Sequence, residues 1–260
     1  MKVEPMDDCV NIIGDGDSED YVLDLTDDTE FILGRLGFHI NCRFLSNTNS
    51  DEIRNLRRGR INILYAKSFV TDHQAGIIKE AAGIDCYPEQ LPRGLNQTLA
   101  WIRSFGNDMG SEEEKIETLC TEIQEQYDDL TKDLVKRLDG CTTIVYTNTS
   151  SDLEWLLETF DMLGVKVLEI MCATNSVWNM SESTLKLSKD IPILYDKNTG
   201  DLENEISSLK PTFVIGGDYT QHSLKTPHMI FGGTKPGIRG CIEQAKRLVR
   251  MVEVINYVDN

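Results

Sequence analysis

Short apolar runs alternate with stretches of helical spacing along most of the chain. Residues 9–14 (CVNIIG) are a compact apolar run closed by glycine, the pattern of a parallel strand buried on both faces. An acid-rich loop (GDGDSED) follows, whose spacing does not match a calcium loop. A helix is predicted over 27–36, capped by Thr26, with Phe31, Ile32 and Leu36 at helical spacing and Gly37 closing it. Residues 38–45 alternate as a strand, Ser50 caps a short helix over 51–57, and 61–66 (INILYA) reads as a second buried strand. A helix over 72–82 ends at Gly83, and 84–87 form a short strand before Pro88.

Residues 91–138 interrupt this grammar with a Pro/Gly turn, an amphipathic helix, a polar break and a long charged helix. The alternation then resumes: a strand over 141–147, a helix from a Ser150 or Ser151 cap to Leu163, and a strand over 165–171. A short helix over 181–189, a strand over 191–195, a helix over 201–209 and a strand over 211–215 follow, the last ending at Gly216-Gly217. Residues 226–230 lead into a Gly-rich loop and a long closing helix over 237–258. Strands alternating with helices of this length predict parallel sheets with right-handed crossovers. The predicted fold class is α/β, two Rossmann-like parallel-sheet domains joined by a long helix. The first domain is expected over 1–140 and the second over 141–260, with the crevice between them as the expected ligand site.

A length of 260 residues fits two domains at about 150 residues each. Hydrophobic residues at 40% and charged residues at 27% are enough for two cores. No apolar run approaches the ~20 residues of a membrane helix, and the acidic N-terminus does not resemble a targeting peptide. A cytoplasmic protein without a membrane partner is expected. The net charge of −17 argues against a nucleic-acid partner. Locally, Arg54, Arg57, Arg58 and Arg60 cluster, as do Lys235, Arg239, Lys246, Arg247 and Arg250. Such clusters hold an anionic ligand or partner, or are simply solvated helix faces. The seven cysteines are odd in number and show no CxxC, which points to buried thiols and leaves iron–sulfur ligation open.

Gly14-x-Gly16 is an incomplete dinucleotide fingerprint, and no P-loop, nucleophile elbow or HExxH occurs. Residues 226–240 (TPHMIFGGTKPGIRG) carry the more specific pattern. His228, at the end of a predicted final strand, would face the crevice, and imidazole is a ligand for iron, nickel or zinc. Gly232, Gly233 and Gly237 would let backbone N–H groups approach a ligand, and the following helix offers its positive end to an anion. The same residues equally make a structural turn around a hydrogen-bonded histidine.

CVNIIG, a helix ending in LG, FHINCRF, INILYA and AAGIDCYPEQLPRGLNQTLAWIRSF stand in the order and spacing of the middle domain of the nitrogenase component 1 family. The charged helix over 111–138, the strand over 142–147 and the ending PTFVIGGDYTQHSLKTPHMIFGGTKPGIRGCIEQAKRLVRMV resemble that family's last domain. The family comprises nitrogenase catalytic subunits, the scaffold that matures their cofactor, and relatives that reduce tetrapyrroles. Three departures stand out. Members carry a further N-terminal domain with cluster-binding cysteines, so that site is expected to be absent or supplied by another polypeptide. The position of a cofactor-binding Cys is Ala66, and a Gly-Gly-x-Arg loop is replaced by residues 147–150 (TNTS). His228 alone carries over, with Cys42 or Cys172 as substitute ligands.

The resemblance implies a nitrogenase-like oxidoreductase subunit or cofactor-assembly scaffold. It would bind an iron–sulfur or related metallocofactor, or a tetrapyrrole, between its domains. A homologous subunit, in a hetero- or homo-oligomer, and an ATP-dependent reductase would be its partners. His228 would be an axial or positioning ligand, Cys42 a further metal ligand, and Gly232, Gly233 and Gly237 the approach loop. Lys235 and Arg239 would compensate anionic charge. The alternatives are a non-catalytic scaffold or binding subunit that keeps the fold without a cluster, and, last, an unrelated α/β enzyme acting on a small anion.

Overall fold

The computed structural model describes residues 4–14, 27–44, 50–147, 153–173, 188–216, 226–230 and 234–258. The chain divides into two compact units, Met1–Tyr127 with Lys235–Gly240, and Asp128–Thr234 with Cys241–Asn260. The expected boundary at Gly140-Cys141 lies beyond this division. The first unit also takes in a short segment from near the C-terminus, because that segment's backbone bonds to Asp28, Pro92 and Gly94.

In the first unit β1 (Met6–Ile13), β2 (His39–Phe44) and β3 (Gly59–Leu64) form a parallel sheet in the order β2-β1-β3. β1 is exposed over its first three residues and buried over its last five, so the sheet takes up the apolar run and leaves the acidic start in water. Helix α1 (Thr29–Leu36) buries Thr29, Ile32, Leu33 and Leu36 and closes at Gly37. Helix α2 (Ser50–Arg54) and a 3-10 turn over Leu56–Arg58 complete the crossover to β3. Helix α3 (Phe69–Ala82) opens with a reciprocal cap, in which the Thr71 N–H donates to Ser68 Oγ and the Ser68 N–H to Thr71 Oγ1. Residues 84–87, expected as a strand, contribute a single parallel bridge between Asn62 and Cys86.

A polar ladder crosses this sheet. Asn11 Nδ2 donates to Asn62 Oδ1 at 3.0 Å and to the Leu56 carbonyl at 3.1 Å. Asn41 Nδ2 donates to Asn11 Oδ1 at 2.8 Å, and Asn62 Nδ2 to the Ile84 carbonyl at 3.2 Å. Asn11 and Asn62 are fully buried, so these bonds replace those the amides lose to water. Gly59 makes the room, since a Cβ there would stand 2.3 Å from Asn11 Nδ2.

Helix α4 (Gly94–Met109) sends Trp101 and Phe105 inward as a stacked pair 4.4 Å apart, with Tyr87 and Phe38 edge-on to Phe105. Helix α5 (Glu113–Thr131) is the long charged helix, and it stops short of the predicted 138. There the Lys136 and Leu138 N–H groups donate to the Met162 and Leu163 carbonyls, and the chain turns instead.

The second unit holds five parallel strands, β4 (Thr142–Thr147), β5 (Lys166–Ala173), β6 (Ile193–Lys197), β7 (Phe213–Gly216) and β8 (His228–Ile230), in the order β6-β5-β4-β7-β8. Helices α6 (Glu154–Leu163), α7 (Thr199–Leu209) and α8 (Arg239–Val258) accompany them. Its core joins Ile144, Tyr146, Met171, Leu202 and Val214. Asn198 caps α7 by accepting from the Gly200 and Asp201 N–H groups. The Thr26, Ser150 and Ser151 caps and most of the helix expected over 181–189 lie outside the described residues. Among the described residues no helix is long and apolar enough to cross a membrane.

Candidate functional site

In the order β2-β1-β3 the chain passes first to one side of β1 and then to the other, which makes the carboxyl end of β1 a topological switch point. β4 plays that part in the second unit, but the segments after β4 and β7 lie outside the described residues. The rim of the first sheet is therefore where a site can be built residue by residue.

Tyr65 leaves β3 at that rim, with its N–H donating to the Ile13 carbonyl at 2.8 Å. Arg93 follows the Pro92 turn and is 6% exposed. Its guanidinium donates to the Leu91 carbonyl at 3.1 Å and the Tyr65 carbonyl at 3.2 Å, and stands 5.2 Å from the centre of the Tyr65 ring. Lys235 brings its ammonium to 5.9 Å from the same ring. Two cations thus lie within 6 Å of the centre of one tyrosine ring, contacts worth roughly 0.5–2 kcal/mol each.

The segment carrying Lys235 is strapped onto the unit. The Gly237 N–H donates to the Pro92 carbonyl at 2.9 Å, the Gly94 N–H to the Gly237 carbonyl at 3.0 Å, and the Asp28 N–H to the Pro236 carbonyl at 3.2 Å. Asp28 Oδ2 accepts from the Ile238 and Arg239 N–H groups at 2.9 and 3.0 Å, and Oδ1 lies 3.4 Å from Arg239 Nε. Asp28 is 2% exposed, and burial pushes its carboxyl pKa up against the lowering pull of the two backbone bonds and Arg239. Gly237 has φ 91°, and a Cβ there would sit 2.3 Å from Asp28, so glycine is required twice over.

The residues expected at the site are distributed as follows. Lys235, Gly237 and Arg239 come together on the strap, Lys235 against Tyr65 and Arg239 against Asp28 and Gln126. The helix end expected to receive an anion donates its first N–H groups to Asp28. His228 is half-buried in the second unit. It opens β8 opposite Val214, two residues before the Ile230–Gly216 pair that ends the ladder. Gly232 and Gly233 lie outside the described residues. Cys42 is buried on β2 among Ile13, Leu56, Leu64, Ala75 and Ile78, and burial raises its thiol to about 11. Cys172 is likewise buried and raised to about 11. Ala66 follows β3, its carbonyl accepting from Thr71 Oγ1 at 2.7 Å.

Asp28, Tyr65 and Arg93 were not legible as site residues. Asp28 reads as a helix start and Arg93 as part of a turn, and each meets its strap partner across a separation in sequence that no local spacing encodes.

Among the described residues no three His, Cys, Asp or Glu side chains form a group able to hold a metal ion. The Tyr65, Arg93 and Lys235 cluster sets two cationic side chains beside one aromatic ring, the sign of charge that an anionic group would require.

The family described as nitrogenase component 1 type oxidoreductase matches residues 2–234. Two solved structures, "Nitrogenase Cp1 at pH 5" and "Nitrogenase Cp1 at pH 6.5", superpose with TM-scores of 0.69 and 0.70 at 15% and 14% identity. Each comparison covers 96% of this chain but 57% and 59% of the other, so the chain spans under two thirds of the length of these relatives. No curated protein matches.

Proposed function

Because the chain belongs to the nitrogenase component 1 type oxidoreductase family, we propose that it is a nitrogenase-like oxidoreductase subunit or a cofactor-assembly scaffold. It binds an anionic iron–sulfur or related metallocofactor, or a tetrapyrrole carboxylate, and works in the cytoplasm with a homologous subunit and an ATP-dependent reductase. The observation that supports this reading is the approach of both Arg93 and Lys235 to the Tyr65 ring, at the carboxyl rim of a parallel sheet. When bound, the cofactor supplies the electron chemistry. The chain's own part is electrostatic and steric: Arg93 and Lys235 compensate negative charge, Tyr65 presents a flat apolar face, and Gly237 lets the strap lie close. His228 would be the imidazole that holds or positions the group, and Cys42 would become a ligand only by giving up its apolar packing and its proton.

Purification without oxygen, with neighbouring gene products co-expressed, followed by visible absorption and iron analysis, tests the reading. Visible colour with iron, or with a porphyrin band, is the expected result. A colourless, metal-free chain under those conditions contradicts it.

The second reading is a non-catalytic scaffold or binding subunit that retains the fold without a cluster. Ala66, standing where the family's pattern has a thiolate, favours it. It predicts stable association with a partner subunit and no colour.

A further inference from the structure

The strap has a buried anchor of charge in Asp28. Asp28 precedes α1 and accepts from the N–H groups of Ile238 and Arg239, far along the chain, while Arg239 closes on its second oxygen. The carboxylate therefore caps α8 from another element, supplying the acceptor that Pro236-Gly237 cannot offer to the helix's first donors. Arg239 is spent in this contact and in one to Gln126 Oε1 at 3.4 Å, which leaves Lys235 as the strap cation directed at the Tyr65 ring.

We propose that Asp28 is the positioning residue of the candidate site: its carboxylate fixes the Pro236–Arg239 turn and so sets where the Lys235 ammonium stands relative to Tyr65 and Arg93. The inference rests on the reading that this rim receives the ligand, but its core is a statement about the protein alone. The groups that face Asp28 are Arg239 at the start of α8 and Asp27 beside it, with Asp27 itself held by Arg43 at 3.3 Å. The backbone contacts are as important as the charge. A side-chain cap of this kind satisfies backbone donors that would otherwise lack an acceptor, which holds the short turn in one conformation.

The experiment follows the Lys235 side chain directly. The lysines of the full chain are reductively methylated with carbon-13 formaldehyde, and the Lys235 signal is assigned by its loss in Lys235→Arg. In the wild type that signal is displaced by the ring current of Tyr65, a displacement that Tyr65→Leu abolishes. Asp28→Ala is expected to move it at least three quarters of the way to the Tyr65→Leu position, while Asp28→Asn, which keeps a capping oxygen, retains at least half the displacement. Should Asp28→Ala fail to fold, Gly237→Ala breaks the same contact from the other side, through the Cβ that would meet Asp28 at 2.3 Å. It is expected to produce the same shift. A Lys235 signal that stays in place in the folded variant overturns the proposal. No cofactor enters this readout, so it can fail while the purified protein is coloured, and succeed while it is colourless.

Discussion

The two units share one grammar of strands and crossover helices but stabilise their sheets differently. The first has three strands and threads side-chain amides through them, from half-buried Asn41 to buried Asn11 and Asn62, each closed on a neighbour or a backbone carbonyl. The second has five strands and joins Ile144, Tyr146, Met171, Leu202 and Val214 in an apolar cluster between sheet and helix. Apolar contact is tolerant of sliding, whereas an amide ladder is satisfied in one register and costs several unmet bonds in any other. The smaller sheet therefore carries the stronger specification of register. That suits a rim where Tyr65, Arg93 and the strap must meet to within a fraction of an ångström.

The largest expected effect tests the apolar side of this contrast. Phe213, fully buried on β7 and 6.4 Å from Phe160, should cost about 3–5 kcal/mol on replacement by alanine, read by denaturant unfolding. A loss below 1 kcal/mol would show that the second unit is not held by its core. Next comes the polar side. Asn62→Ala removes the acceptor of Asn11 and the donor to Ile84, and should cost about 1–3 kcal/mol. Its sharper signature is local: amide exchange should rise across β1–β3 before it rises in the second unit. Equal acceleration in both units would erase the distinction drawn here.

The smallest effect concerns a buried carboxyl in the second sheet. Glu169 on β5 is 6% exposed, and its Oε1 has no hydrogen-bond partner among the described residues. Burial raises its pKa, the nearby Glu205 raises it further, and Lys197 opposes them. A carboxyl with a raised folded-state pKa binds its proton more tightly in the folded chain. Its contribution is therefore fully present below the unfolded pKa and is lost as pH climbs through the folded one. Glu169→Gln should raise stability above that range by about 1 kcal/mol and flatten the pH dependence there. A pH profile that keeps its slope in the variant would place the titration elsewhere.

Much of the architecture was legible because periodicity and glycine placement are local signals. Of the runs 9–14 and 61–66, residues 9–13 and 61–64 fall on β1 and β3, and Gly37, Gly83 and Gly164 close the helices whose ends they predict. The end of α5 was not legible. The helical pattern continues through Leu134 and Leu138, and what stops the helix is a pair of backbone bonds to Met162 and Leu163. The site was legible in part for the same reason. The glycine and cations of the strap announce themselves in a short window, whereas Asp28, Tyr65 and Arg93 acquire their roles only when the topology brings them beside it. The sequence places His228 at the end of the final strand, but strand pairing starts at that residue.

Iron and visible absorption per chain, measured side by side in the wild type and in an Arg93→Gln, Lys235→Gln double variant purified without oxygen with neighbouring gene products co-expressed, test the central claim most directly. The wild type should carry the chromophore, and the folded double variant should retain less than about a tenth of it, since two charge-assisted contacts are lost. Equal loading in the two proteins, or none in either, would contradict the assignment of this rim as the cofactor site.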